Sequence, residues 1–190
     1  MSASILPDPV KPRFAFSTKA RTLEQLAGKL RLARLCRQQI FTTDDWNAGR
    51  EVVVERITKT FRDGKIVVRS SGEGEDSETE SLAGAFESVT NVDLDPVAIA
   101  AAVDHVIASY GAMTAPQEIL IQEMVKDVAI SGVILSRDLD TGSPYYVLNY
   151  DDFSGRTDTV TSGGESKMIQ VQRARPGALR SERMRQLVRM

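Results

Sequence analysis

The chain has 190 residues, 24 Lys or Arg against 26 Asp or Glu, a formal charge of −2, and 42% hydrophobic side chains. That composition suits one sizeable core or two small ones, and it excludes wholesale disorder, collagen-like repeats and a global field favouring nucleic acid or an anionic membrane. A single cysteine, Cys36, and a single histidine, His105, exclude an internal disulfide, a zinc finger and a His-based metal cluster, and they point to a reducing, cytoplasmic setting.

No uninterrupted apolar run approaches the ~20 residues of a membrane span. Pro7, Pro9 and Pro12 predict an extended leader over 1–13. Leu23, Leu26, Leu30 and Ala33 at helical spacing predict a helix from Thr22 to Arg34 with Thr22 as its cap. A second helix runs from Thr42 or Thr43 to about Arg62, with Trp46, Val53, Ile57 and Phe61 on one stripe. KIVVRSS, Lys65 to Ser71, has the β-branched content of a strand. Five acidic side chains and two glycines between Gly72 and Glu80 predict a solvated loop.

A strand follows over Ala85–Val92, then a helix capped by Asp95, with Pro96 at its first position and Gly111 as its stop. Three apolar runs, Glu118–Val125, Val128–Ser136 and Tyr145–Tyr150, predict an antiparallel sheet. Asp158–Thr161 and Lys167–Val171 are further strand pieces, and Leu179–Met190 has a helical pattern. Residues 165–190 carry seven Lys or Arg against two Glu, so this end is basic. The expected class is α+β in two lobes with mainly antiparallel sheet: 14–112, a β-rich 113–172, and a basic tail over 173–190, with the join near Gly111–Pro116.

The chemistry centres on cations. Arg69 ends a strand beside two hydroxyls, Ser70 and Ser71, and a Gly- and Ser-containing loop. A planar guanidinium there can fork onto phosphate oxygens and never loses its charge; the alternative is a surface arginine paired with Glu73 or Glu75. Lys19 lies in FAFSTKARTLEQLA, after a short apolar strand and before a helix start whose amides add to its charge; the alternative is a solvated lysine. Gln122 and Glu123 end the apolar strand ILIQEMV, which either offers its backbone to an adenine edge or serves as core. In VAISGVILSRDLDTG, Gly132 permits close backbone approach, and Arg137 follows a buried run.

Together these stretches resemble the N-terminal nucleotide-binding domain of pyruvate phosphate dikinase and phosphoenolpyruvate synthase, an ATP-grasp fold. The resemblance spans Phe14 to Lys167 and is carried by VVRSSGEGEDSETESLAGAFESVTNV, ILIQEMVKDVAISGVILSRDLDTG and YYVLNYDDFSGRTDTVTSG. It implies that Lys19 and Arg69 are the catalytic, triphosphate-binding cations. It also implies that Gln122, Glu123, Met124 and Val125 form a hinge lining adenine, that Ser70 to Gly84 form the phosphate-side loop, and that Gly132, Arg137 and Asp158 complete the ATP contacts. In that family the domain passes a phosphoryl group from ATP, through a histidine on a separate domain, to pyruvate or another acceptor, with Mg2+ completing the clamp.

The pattern departs from the family at its end. Gln172 to Pro176 echoes a Gln-x-Arg-Pro phosphate strand, but it follows the TSGGESK turn directly and reads as a connection, and the paired acidic metal ligands are missing. His105, without Gly- and Thr-rich surroundings, reads as a helix-face residue. The expectation is an ATP-grasp module truncated before its metal-ligand strands, weak or inactive alone, completed by downstream domains or a second polypeptide. The alternative is a non-catalytic interaction module docking through the acidic loop or the basic tail. Nucleic acid is not an expected partner, because no aromatics interleave with the tail arginines and Trp46 sits on a core face.

Overall fold

The computed structural model describes residues 17–72, 87–111, 115–164 and 166–189. The chain forms two compact units, Met1–Lys29 with Arg37–Gln122, and Leu30–Cys36 with Glu123–Met190. Both are α+β, and their sheets are mostly antiparallel. The expected leader, the short strand before Lys19, the acidic loop beyond Gly72 and the start of the 85–92 strand lie outside the described residues.

The first unit contains α1 (Lys19–Leu26), β1 (Gln38–Thr42), α2 (Thr43–Thr60), β2 (Lys65–Ser71), β3 (Ser88–Asp93), α3 (Pro96–Ser109) and β4, which begins at Glu118 and ends at Glu123. Its sheet has the order β1-β4-β2-β3. Thr42 closes α2 with a capping box: its hydroxyl accepts from Asp45 N while the Asp45 carboxylate accepts from Thr42 N. Asp95 caps α3 through the amides of Val97 and Ala98, and Gly111 stops it at φ +60°.

Helices α2 and α3 pack on one face of the sheet. Ile57, Ile66, Val68, Ile99, Val103, Val106, Ile119 and Ile121 have lost essentially all contact with solvent there. Each such side chain contributes about 1.5–3 kcal/mol of burial. Trp46 stacks on Phe41 with ring centroids 5.9 Å apart, and its Nε1 donates to Asp104 at 3.0 Å. Since Ile66 and Val68 face the helices, strand alternation turns Val67, Arg69 and Ser71 to the other face. A register shift between β2 and β3 coincides with Asn91 at φ +59°, so the extra residue sits in β3 and the alternation of β2 is intact.

The second unit holds β5 (Ser131–Leu135), β6 (Tyr145–Asp151) and β7 (Lys167–Gln172), paired antiparallel in that order. A 3-10 turn at Pro176–Ala178 and α4 (Glu182–Leu187) follow. Leu148, Val171, Leu179 and Met184 form its core. The basic tail is therefore an integral layer of this unit, with its apolar side chains turned inward and most of its arginines outward.

Several expected elements differ. The first helix starts at Lys19 because Thr18, not Thr22, supplies the cap, accepting from Arg21 N, and it ends at Leu26 before Gly28 at φ +77°. β1 was not anticipated. β4 does not pair with β5; it runs antiparallel to β1 in the first sheet, so the units divide between Gln122 and Glu123 rather than near Gly111–Pro116. Residues 158–161 form a turn, not a strand, closed by Ser162 N to Asp158 O and Gly164 N to Thr159 O, both 2.8 Å. No helix among the described residues is long and apolar enough to cross a membrane.

Candidate functional site

The sequence-predicted site residues fall in both units. Lys19, Arg69, Ser70, Ser71 and Gln122 belong to the first; Glu123, Met124, Val125, Gly132, Arg137 and Asp158 belong to the second.

In the first unit the two cation-bearing segments are joined. Arg69 lies on the sheet face away from α2 and α3, and its Nε is buried with no hydrogen-bond partner among the described residues. Two residues on, and ~6.5 Å along the same face, the Ser71 hydroxyl accepts from Ala20 N at 2.8 Å. Ala20 follows Lys19, the first residue of α1, so the Lys19 backbone and Arg69 share one corner of the unit. Glu73 and Glu75, the carboxylates that could have neutralised Arg69, lie outside the described residues.

The buried serines have structural work. Ser71 N donates to the Tyr110 hydroxyl at 2.9 Å, and Ser70 N donates to Glu87 O at 3.3 Å. Tyr110 in turn donates to the Glu118 carbonyl. The Glu118 carboxylate accepts from the Thr18 hydroxyl and from Arg21 Nε, each at 2.6 Å. Glu24, and then Glu118, raise the Arg21 pKa above its ordinary value. Sequence reading missed Tyr110 and Glu118. The signal available was an acid opening an apolar strand, which local pattern alone reads as a strand-end charge.

The hinge segment is where the chain leaves the first unit. Gln122 Nε2 donates to Gln38 Oε1 at 3.4 Å, across the β1–β4 pair. Glu123 pairs with Arg34 at 3.5 Å, Met124 is half-buried, and Val125 is exposed.

In the second unit several predicted contacts are committed to the fold. A Cβ at Gly132 would fall on the Asn149 carbonyl oxygen and 2.9 Å from Tyr150 Cα, so the close backbone approach is made by β6. Arg137 Nη1 donates to Gly142 O at 2.9 Å, closing the β5–β6 turn. Asp158 is gripped by Arg156 through Nε (3.0 Å) and Nη2 (2.9 Å), which holds its carboxyl below the usual range. His105 lies on the outer face of α3 against Glu87, and Gln172 ends β7 before the 3-10 turn, so residues 172–176 are a connection.

An unanticipated acid, Asp151, closes β6. The Ser154 hydroxyl, then the amides of Ser154 (3.0 Å) and Phe153 (2.9 Å), donate to its carboxylate and push its pKa far below the ordinary value. It borders a cleft of about 540 Å³ with Phe153, Thr159 and Lys167. A second cleft of about 500 Å³ is lined by Val125, Ile130, Ile134, Leu148, Met184 and Leu187.

Among the described residues no group of three or more His, Cys, Asp or Glu side chains is placed to hold a metal ion. No protein-family model matches the chain, and no curated protein matches it.

Proposed function

We propose that the chain is the ATP-binding module of a phosphoenolpyruvate-synthase-like phosphotransferase of the ATP-grasp kind, with Arg69 and Lys19 gripping the triphosphate. The observation that carries this reading is the buried Arg69 Nε with no hydrogen-bond partner among the described residues. A guanidinium donor taken out of water and left unsatisfied costs free energy that a structural arginine avoids by pairing. Phosphate oxygens supply the missing acceptors in the fork geometry that arginine favours.

The placement of Lys19 supports the same reading. It opens α1 beside the strand end that Arg69 occupies, tied there by the Ala20–Ser71 bond. A lysine whose backbone is held beside an arginine-bearing strand suits a polyanion site, and electrostatic stabilisation of phosphate charge is the main service a protein gives phosphoryl transfer.

Among the described residues no carboxylate group is placed to hold Mg2+, and the cation work proposed here is that of Arg69 and Lys19. In the first unit the Gln122 side chain has a partner, which leaves its backbone for the hinge role. In the second unit the Asp158 carboxylate is paired with Arg156.

Calorimetric titration with Mg-ATP tests the proposal. Saturable binding that weakens in Arg69→Ala supports it; the absence of heat with the unsubstituted chain, under conditions where a phosphoenolpyruvate synthase binds, opposes it.

A further inference from the structure

We infer that Glu118 and Tyr110 are positioning residues for this ATP site, holding α1, and with it Lys19, against the end of β2 that carries Arg69. The functional half of this inference rests on the ATP-binding reading; the structural half rests on geometry.

Helix α1 has eight residues. A helix so short is not stable in isolation, so its place is owed to tertiary contacts. Those contacts bracket Lys19. Before it, the Thr18 hydroxyl donates to Glu118 Oε2 at 2.6 Å while Thr18 Oγ1 itself accepts from Arg21 N at 3.3 Å, so the helix cap and the acid act in series. After it, Ala20 N is bound by the Ser71 hydroxyl, and Arg21 Nε reaches Glu118 Oε1 at 2.6 Å. One carboxylate thus holds both ends of the first helical turn, with its two oxygens on different residues.

Tyr110 ties the two strands beneath. Its hydroxyl sits at the C-terminal end of α3, accepts from Ser71 N in β2 and donates to the Glu118 carbonyl in β4. Tyr110 is only 6% exposed and Ser71 is fully buried, so removing the hydroxyl leaves the Ser71 amide without an acceptor in a dry site. The same network fixes the Ser71 side chain that receives α1. Lys19 is therefore presented from a turn whose neighbours on both sides are bonded to β2 or β4.

The test uses the full chain with two readouts: amide hydrogen exchange over residues 18–22, and Mg-ATP affinity by calorimetry. Glu118→Ala is expected to speed exchange at the Ala20 amide roughly tenfold or more. It should weaken Mg-ATP binding by about the same factor as Lys19→Ala, a charged hydrogen bond being worth roughly tenfold or more in affinity. The Lys19→Ala/Glu118→Ala double variant should bind no more weakly than Lys19→Ala, because both remove one contact. Glu118→Gln, which can still accept from Thr18, should recover part of both losses, and Tyr110→Phe should speed exchange at the Ser71 amide. Asp95→Ala, which removes the cap at the opposite end of α3 from Tyr110 and none of these bonds, should lower stability without changing affinity.

Unchanged exchange in Glu118→Ala overturns the latch. Faster exchange with unchanged affinity, or losses that multiply in the double variant, overturns the positioning of Lys19. If the unsubstituted chain does not bind Mg-ATP, the functional half falls with the ATP reading, and the exchange data alone decide whether α1 is held by Glu118.

Discussion

Ser71→Ala probes the joint between the two cation-bearing segments with the smallest possible change. Ser71 and Ala20 are both fully buried, and the serine hydroxyl is the acceptor for Ala20 N at 2.8 Å. Alanine removes one oxygen and leaves a buried amide unsatisfied, a loss of about 1–3 kcal/mol. That range corresponds to a ~5- to 150-fold rise in the unfolded fraction at fixed denaturant. The backbone bond from Ser71 N to Tyr110 survives the substitution, so the strand itself should persist. Trp46 is the only tryptophan of the chain and lies in the core of the first unit, which makes its fluorescence a direct monitor of that unit in urea. The midpoint should fall while the denaturant slope stays constant, since the buried area barely changes. A midpoint equal to that of the unsubstituted chain would refute the reasoning, because a docked α1 cannot lose its deepest hydrogen bond without cost.

Two further predictions concern the second unit. Gly132→Ala forces a methyl onto the Asn149 carbonyl and should destabilise the β5–β6 pair by about 1–3 kcal/mol; unaltered amide-exchange protection across β5 would contradict the contact. Asp151 has a folded-state pKa held below its unfolded value, so its stabilising contribution is present above the unfolded value of ~3.9 and lost as pH falls through the folded one. Thermal melts of Asp151→Asn should therefore depend less steeply on acidification below about pH 4 than those of the unsubstituted chain; parallel pH curves would show that the carboxylate network is not formed.

Elements whose reasons are local were legible in the sequence. β2 matches KIVVRSS residue for residue, and α3 keeps its Asp95 cap, first-turn Pro96 and Gly111 stop. Strand partnership is non-local, and there the reading failed. EILIQE has the same apolar character as the two runs after it, yet β4 pairs with β1, whose QQIFT carries only two strong apolar residues and gave little signal of its own. The start of α1 shows the same limit. Thr18 and Thr22 are both plausible caps, and the outcome is decided by Glu118, a hundred residues away.

The candidate site divides along the same line. Arg69 was singled out because a cation at the end of an apolar strand stands out in composition. Glu118 and Tyr110 were invisible because their roles depend on contacts that only the folded sheet creates. Gly132 was identified as a point of close approach, but the approaching backbone is β6. Arg137 and Asp158 were expected to face ATP, and in the structure they bond the Gly142 carbonyl and Arg156.

The central claim is that Arg69, whose buried Nε has no partner among the described residues, is kept for a triphosphate. Titration of the unsubstituted chain, Arg69→Ala and Arg69→Lys with Mg-ATP addresses it directly. The account predicts saturable binding that weakens about 10- to 150-fold in Arg69→Ala, with lysine restoring charge but not the fork and hence only part of the affinity. Absence of binding by the unsubstituted chain, or equal affinity in all three proteins, would contradict it.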